Sequence, residues 1–107
     1  DYIEFTVSDM AASKAFYADV FGWSFNDYGP GYSGIVDGEG ECGGFAVGEV
    51  VTGGPLVVLF SDNLEATLDA VKAGGGTIAQ EIFSFPGGRR FEFLDPSGNR
   101  LAVCTHG

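Results

Sequence analysis

Three charged residues are the first candidates for chemistry: Glu4 near the start of the chain, and Arg90 and Glu92 near its end. A carboxylate can act as a general acid or base, and a guanidinium has forked donors that suit a carboxylate, a phosphate or a carbonyl group. Glu4, Arg90 and Glu92 are therefore the candidate catalytic residues if the protein is an enzyme. Alternatively, the three form an ion-pair network, because buried charges are tolerated only when they are paired.

Cys104 and the single histidine, His106, could join Glu4 and Glu92 as metal ligands. That set mixes hard and soft donors, and we expect the C-terminal tail around His106 to fray, so we predict no metal site there. No basic neighbour is evident that would stabilise a thiolate at Cys104, so we predict a buried, inert thiol. Cys42 lies far from Cys104 with no CxxC pattern, which indicates neither a disulfide framework nor a zinc knuckle.

The composition limits the partners. Fifteen acidic and five basic residues give a net charge of −10, which repels nucleic acid and anionic membranes and attracts a cationic small ligand, although the same charge could serve only solubility. The apolar runs, such as Leu56 to Phe60, are far shorter than the ~20 residues of a membrane-spanning helix. We expect a cytoplasmic protein, although a chain that begins at Asp1 without Met could have lost a leader.

Apolar periodicity predicts a β-α-β-β-β unit in the first half of the chain. Tyr2 to Val7 alternates as a half-buried strand, Ser8-Asp9 supplies a helix N-cap, and Gly22 ends the helix. Three short strands follow, at 23–28, 32–37 and 42–47. The small residues of Cys42-Gly43-Gly44 favour a β-bulge or a close approach by a ligand or by backbone.

The second half repeats this order. A strand at Leu56 to Phe60 precedes a cap at Ser61-Asp62 and a helix that stops at the glycines 74–76. Three strands follow, at 77–83, 89–94 and 99–104, and the last two flank Asp95-Pro96-Ser97-Gly98, which has the residues of a type I turn. An offset of 53 residues aligns Ser8 with Ser61, which indicates an internal duplication.

The predicted fold is α+β in a single domain, 1–107, with module one at 1–49, a linker at 50–54 and module two at 55–107. Two β-α-β-β-β modules side by side would form a cupped eight-stranded mixed sheet, with two helices on the convex face and a cavity on the concave face. The two modules could close one cup within a chain or exchange between the chains of a dimer.

Strand alternation assigns residues to these two faces. The helix-covered face would hold Ile3, Phe5, Val7, Leu56, Val58, Phe60, Phe91, Phe93, Leu101 and Val103. The cavity, and with it the candidate ligand-binding set, would hold Tyr2, Glu4, Thr6, Val57, Leu59, Arg90, Glu92, Ala102 and Cys104. Four aromatic residues could stack on a flat ligand or form core or dimer contacts: Tyr2, Trp23, Tyr28 and Tyr32.

Several motifs together resemble the vicinal oxygen chelate superfamily, which groups glyoxalase I, fosfomycin-resistance proteins, extradiol dioxygenases and bleomycin-resistance proteins. The resemblance covers nearly the whole chain. It rests on Val7-Ser8-Asp9 with Phe16-Tyr17 and Phe21-Gly22-Trp23, on Ser61-Asp62, and on Leu94-Asp95-Pro96-Ser97-Gly98-Asn99. It implies the fold more strongly than an activity, because this superfamily supports many chemistries on one fold.

Enzymes of that superfamily usually hold a divalent metal with His and Glu ligands. The resemblance puts the ligand positions near Tyr2, Pro55 and Ala102, with the fourth within 42–47, where only Cys42 could coordinate. Since a catalytic metal needs about three or four protein ligands, we predict no metal and no other cofactor.

The resulting prediction is a metal-free homodimer that binds a small aromatic or cationic molecule in its cavity. We expect it to bind neither nucleic acid nor membranes. The resemblance implies this ligand-binding function because bleomycin-resistance proteins bind their drug without changing it chemically. One alternative is a lyase, isomerase or dioxygenase of the glyoxalase type with an atypical metal site or an acid-base pair. Another is an accessory or regulatory domain with a vestigial pocket.

Overall fold

The computed structural model describes residues 2–38, 40–51, 55–85 and 88–106, and it contains two β-α-β-β-β modules as predicted. Module one consists of β1 (Ile3–Val7), α1 (Met10–Phe21), β2 (Ser24–Asp27), β3 (Tyr32–Asp37) and β4 (Gly40–Val47). Module two consists of β5 (Val57–Phe60), α2 (Leu64–Ala73), β6 (Thr77–Phe85), β7 (Gly88–Leu94) and β8 (Arg100–His106). Most of the predicted linker, residues 52–54, lies outside the described residues. Within the described ranges, no helix is long and apolar enough to cross a membrane.

The strands form two four-stranded mixed sheets rather than one continuous eight-stranded sheet. Their orders are β1-β4-β3-β2 and β5-β8-β7-β6, with β1 parallel to β4, β5 parallel to β8, and the other neighbours antiparallel. β1 and β5 are therefore the corresponding edge strands of the two modules. The face of each sheet that lies away from the helices is called the open face below.

Local sequence explains where both helices begin and end. Asp9 caps α1 by accepting a hydrogen bond from the Ala12 amide at 3.0 Å, and Gly22 ends α1 in the left-handed conformation with φ of 74°. In α2 the N-cap is Asn63, which accepts from the Ala66 amide at 3.1 Å. The predicted cap at Ser61-Asp62 is therefore wrong by one residue or two, because the capping oxygen must reach the amide three residues further on.

A single hydrophobic core joins the two modules. Helix α1 places Tyr17 against Phe45 of its own sheet, with ring centroids 5.4 Å apart, and Phe16 against Phe93 of module two, at 5.9 Å. All four rings are buried. Because α1 packs on residues of both sheets, the modules of one chain form a common core rather than two separate ones.

The predicted faces of β5 are reversed. Val57 pairs with Leu101 and Leu59 with Val103, and both partners belong to the helix-covered core. Val58 and Phe60 therefore lie on the open face, with 46% and 55% of their surfaces exposed. Leu56, Val57, Val58, Leu59 and Phe60 are all apolar, so alternation gave no phase for this strand, and a shift of one residue exchanges its faces.

The C-terminal hairpin has the predicted turn. The Gly98 amide donates to the Asp95 carbonyl at 2.9 Å, as a β-turn requires. The predicted fraying at His106 is wrong, because β8 continues to that residue and its ring lies 5.1 Å from that of Phe60.

Asp95 also ties the hairpin to α1. Its buried carboxylate accepts from the amides of Ser97 and Asn99, both at 2.9 Å, and from the Tyr17 hydroxyl at 3.0 Å. Burial, followed by the charge of Asp95, raises the pKa of Tyr17 well above its ordinary value. The Tyr17 hydroxyl therefore remains a donor that fixes the turn against the helix.

Candidate ligand-binding site

A cavity of about 620 Å³ lies between β1 of module one and the strands β5, β7 and β8 of module two, and it is lined both by open-face residues such as Glu4 and by core-side residues such as Phe5 and Val57. We call it the inter-module cavity. Its lining combines apolar side chains with Glu4, Thr6, Glu92, Asn99 and Arg100. Cavities that hold small organic ligands have this combination and volumes of roughly 300–1,000 Å³.

Hydrogen bonds across the module boundary hold the walls of this cavity together. The Asn99 side-chain amide donates to the Thr6 carbonyl at 2.8 Å, and the Ser8 amide donates to the Ser97 hydroxyl at 2.9 Å. The two module-two residues in these bonds, the donor Asn99 and the acceptor Ser97, belong to the turn that the Asp95 carboxylate holds in place. The C-terminal hairpin therefore positions β1 against module two as well as closing its own sheet.

Glu92 is the centre of an ion-pair network on the wall of the cavity. It is only 9% exposed, and its Oε1 accepts from Arg100 Nε at 2.9 Å and Nη2 at 2.7 Å, while Oε2 accepts from Arg90 Nη2 at 3.3 Å. The Arg90 guanidinium also lies over the rings of Phe83 and Phe85, at 5.4 and 5.6 Å. Because three guanidinium bonds already hold this carboxylate in place, the geometry favours a positioning role over general base catalysis.

The sequence predicted an ion-pair network of Glu4, Arg90 and Glu92. In the structure the network consists of Arg90, Glu92 and Arg100. Arg100 takes the place of Glu4, which forms none of the ion pairs found within the described part of the chain. Arg100 pairs with Leu94 across the hairpin and so lies diagonally opposite Glu92 on the same face. The Asp95 turn fixes this register, so the turn motif in the sequence could have identified Arg100 as a partner of Glu92.

Glu4 instead borders a group of tyrosines on the open face of module one. Tyr2 and Tyr32 are joined through their hydroxyl oxygens, 2.6 Å apart, and Glu41 Oε1 accepts from the Tyr28 hydroxyl at 2.7 Å. The bond to Tyr2 is the largest influence that raises the pKa of Tyr32, and burial and Glu4 act in the same direction. Sequence reasoning missed Glu41 as a member of any site.

The predicted ligand-binding residues do not all share one space. Glu4, Thr6, Val57 and Glu92 line the inter-module cavity. Leu59 instead lines a smaller apolar cavity of about 290 Å³, together with Trp23 and others. The remaining predicted residues lie beside these cavities: Tyr2 in the tyrosine group, Arg90 next to Glu92, and Ala102 and Cys104 opposite Glu92 and Arg90 on β8.

Trp23 belongs to the core rather than to an open stacking surface, because its ring stacks on Tyr17 at 4.5 Å. Cys42 and Cys104 are both free thiols. Tyr2 and Tyr28 have exposed rings, and Tyr32 is half-buried between them and the sheet. Of the four predicted stacking aromatics, the three tyrosines therefore remain accessible to a ligand.

The metal that the superfamily's enzymes use does not fit these residues. Pro55 has no donor, Ala102 offers only a buried methyl group, and the Tyr2 hydroxyl is engaged by Tyr32. Glu92 already accepts from two guanidiniums. Across the described residues, no group of three or more His, Cys, Asp or Glu side chains is arranged to hold a metal ion.

Two β-α-β-β-β modules that share a core and enclose an open cavity define the class of the protein as a paired-module α+β fold. Residues 1–103 match the model of the Glyoxalase/Bleomycin resistance protein/Dioxygenase superfamily, and the chain belongs to that family.

Similar proteins include a "Glyoxylase-like domain-containing protein" from Didymella fabae, which is 30% identical over 96% of this chain and 90% of its own length. "Putative glyoxylase CFP32" from Mycobacterium tuberculosis is 27% identical over 96% of this chain. The match covers only 44% of that relative, so this chain spans less than half of its length.

Among solved structures, a family enzyme from Burkholderia phytofirmans PsJN has a TM-score of 0.84 at 22% identity, covering 99% of this chain and 97% of its own. TnmS3, an antibiotic binding protein from Streptomyces sp. CB03234, has a TM-score of 0.72 at 21% identity, covering 99% and 93%. At these identities the likeness establishes the fold alone.

Proposed function

We propose that this protein binds a small, partly apolar organic molecule in the inter-module cavity without a metal ion. The observation that carries the proposal is the lining of that cavity, where Val57 and Leu94 provide apolar contact and Glu4 and Arg100 provide charged groups. Apolar walls with a few fixed polar groups suit orientation of a ligand by hydrogen bonds and binding by burial of apolar surface.

The state of Glu92 supports binding rather than catalysis. Glu92 is the carboxylate on this wall that could act as a base, but it already accepts hydrogen bonds from Arg90 and Arg100 and holds both guanidiniums in place. A protein of similar fold, TnmS3, is an antibiotic binding protein. That precedent is compatible with a role in which a ligand is held and left unchanged.

The test is a thermal-shift screen of chelator-treated protein against basic glycopeptides, aromatic acids and thioesters. Thr6→Trp, on the cavity wall, fills the space with an indole, whereas Thr6→Val keeps the shape of the native side chain and serves as the matched control. Neither change removes the Thr6 carbonyl that accepts from Asn99. Circular dichroism of both variants checks that the fold is retained.

The expected result is at least one compound that raises the melting temperature of the native protein and of Thr6→Val but not of Thr6→Trp. If no compound stabilises the native protein, or if Thr6→Trp responds as strongly as Thr6→Val, the cavity is not the binding site. Elemental analysis after loading with nickel, zinc, manganese or iron is the companion measurement. A stoichiometric metal would contradict the metal-free proposal.

A further inference from the structure

The open face of module one has a tyrosine–glutamate cluster, which consists of Tyr2, Tyr28, Tyr32, Glu4 and Glu41. The rings of Tyr28 and Tyr32 are 6.3 Å apart and inclined at 44°. Tyr2 bridges the two halves of the cluster, since its hydroxyl bonds to Tyr32 at 2.6 Å and donates to Glu41 Oε2 at 3.4 Å. Because Glu4 also lines the inter-module cavity, the cluster borders that cavity.

Two glycines in the underlying sheet give the cluster its shape. A Cβ atom at Gly44 would lie 2.1 Å from the Tyr32 hydroxyl oxygen, and a Cβ atom at Gly34 would lie 2.0 Å from Glu41 Oε1. Gly34 and Gly44 are paired neighbours on β3 and β4. The absence of side chains at these two positions therefore lets the tyrosine and the carboxylate lie flat on the sheet.

The cluster has negative charge that no basic side chain neutralises among the described residues. Neither Glu4 nor Glu41 forms an ion pair there, and four of the five basic residues are paired elsewhere. Those pairs are Lys14 with Asp27, Arg89 with Glu65, and Arg90 and Arg100 with Glu92. The fifth, Lys72, lies in the last turn of α2, on the helix side of module two.

We propose that the tyrosine–glutamate cluster binds the cationic group of an organic ligand, an alkylammonium or quaternary ammonium, whose apolar part lies in the inter-module cavity. This inference rests on the proposed function and names the chemical class of its ligand. Electron-rich tyrosine rings attract a cation through their faces, and a nearby carboxylate adds direct charge attraction. Tyr28 and Glu41 supply these two features side by side, and the hydroxyl of Tyr28 orients the carboxylate.

The probe pair is choline and its uncharged isostere 3,3-dimethylbutan-1-ol, titrated by NMR while the tyrosine ring resonances are followed. Only the cation differs between these two molecules. We expect choline to bind at least about tenfold more tightly, which corresponds to the combined attraction of the rings and a carboxylate. Equal affinity for the two probes would overturn the inference.

Four variants separate local recognition from the general attraction of an acidic protein. Glu41→Gln removes one charge from the cluster, and Asp69→Asn, on an exposed part of α2, removes the same charge elsewhere. We expect Glu41→Gln to weaken choline binding about fivefold or more and Asp69→Asn to change it less than about twofold. Tyr28→Leu should weaken it, whereas Tyr28→Phe should retain most of the ring's contribution. If Asp69→Asn weakens binding as much as Glu41→Gln, only long-range steering is present and the inference fails.

Failure of this inference can be distinguished from failure of the proposed function. A cavity ligand that depends on Thr6, found together with equal affinity for choline and 3,3-dimethylbutan-1-ol, would overturn the cation site and leave the cavity's role intact. Specific choline binding with no cavity ligand in the thermal-shift screen would instead support the cation site and count against the proposed function.

Discussion

Gly43 and Gly44 are adjacent on β4, yet replacement of each by alanine should have opposite effects. A Cβ atom at Gly43 would lie 2.3 Å from the Ile3 carbonyl oxygen, which is backbone of the paired strand β1. A Cβ atom at Gly44 would meet only the ends of side chains, the hydroxyls of Tyr32 at 2.1 Å and of Tyr2 at 2.8 Å. Gly43→Ala should therefore affect folding, and Gly44→Ala should affect the tyrosine–glutamate cluster.

The magnitudes follow from what has to move. Gly43→Ala must separate β1 from β4, and such overpacking costs about 1–3 kcal/mol, against a gain of about 0.4–1 kcal/mol from a less flexible unfolded chain. A net loss of about 1–2 kcal/mol lowers the melting temperature of a domain of this size by roughly 5–15 °C. Gly44→Ala rotates Tyr2 and Tyr32 outward and loses an exposed hydrogen bond worth about 1 kcal/mol, which the same unfolded-state gain largely offsets.

Urea denaturation and choline titration of both variants form the assay. We expect Gly43→Ala to have a lower denaturation midpoint and Gly44→Ala to be within about 1 kcal/mol of the native protein but weakened several-fold in choline binding. Similar losses of stability in the two variants, or native choline affinity in Gly44→Ala, would refute the account of the two faces of β4.

Three further predictions concern the C-terminal hairpin and its partners. Asp95→Ala should lower the free energy of unfolding by about 2–4 kcal/mol, because the Tyr17 hydroxyl and two turn amides lose a buried acceptor. A urea midpoint close to that of the native protein would contradict this prediction. Stability should fall as the pH rises above about 10, the ordinary pKa of tyrosine, because burial and Asp95 raise the pKa of Tyr17 only in the folded state and the unfolded chain therefore loses its proton first. Tyr17→Phe should make that fall shallower in pH-dependent denaturation, and an unchanged slope would exclude Tyr17 as its source. Arg100→Gln should destabilise the protein by about 1 kcal/mol, a modest value because the arginine is half exposed. The loss should be smaller in high salt, which screens the ion pair. A loss of stability that does not depend on salt would show that packing, rather than charge, accounts for it.

The fold could be predicted in detail wherever residue type fixes backbone geometry. Asp9 and Gly22 delimit α1, and the Asp95 turn sets the register of β7 and β8. Prediction failed at β5 because an uninterrupted apolar strand has no polar phase, and only its pairing with β8 reveals that Val57 faces the core.

The candidate site was only partly predictable. Simple alternation along β4 would put Glu41 on the helix side, and for that reason it was missed. A register shift between Ile35 and Val36 instead pairs Glu41 with Val36 and puts its side chain on the open face, the same face as Gly44. The small residues from Cys42 to Gly44 did indicate a bulge or a close approach, and the structure contains both. The consequence for Glu41 depends on three-dimensional register, which residue types alone do not determine.

The central claim is that a small molecule occupies the inter-module cavity of metal-free protein, and methyl NMR with the strongest stabilising compound tests it most directly. Val57 and Leu94 line the cavity, whereas Leu68 and Val71 are buried residues of α2 and provide internal references. We expect saturable shifts of the Val57 and Leu94 methyl resonances, with those of Leu68 and Val71 unchanged. Shifts confined to Leu68 and Val71, or saturable stabilisation with no shift at Val57 and Leu94, would contradict the claim.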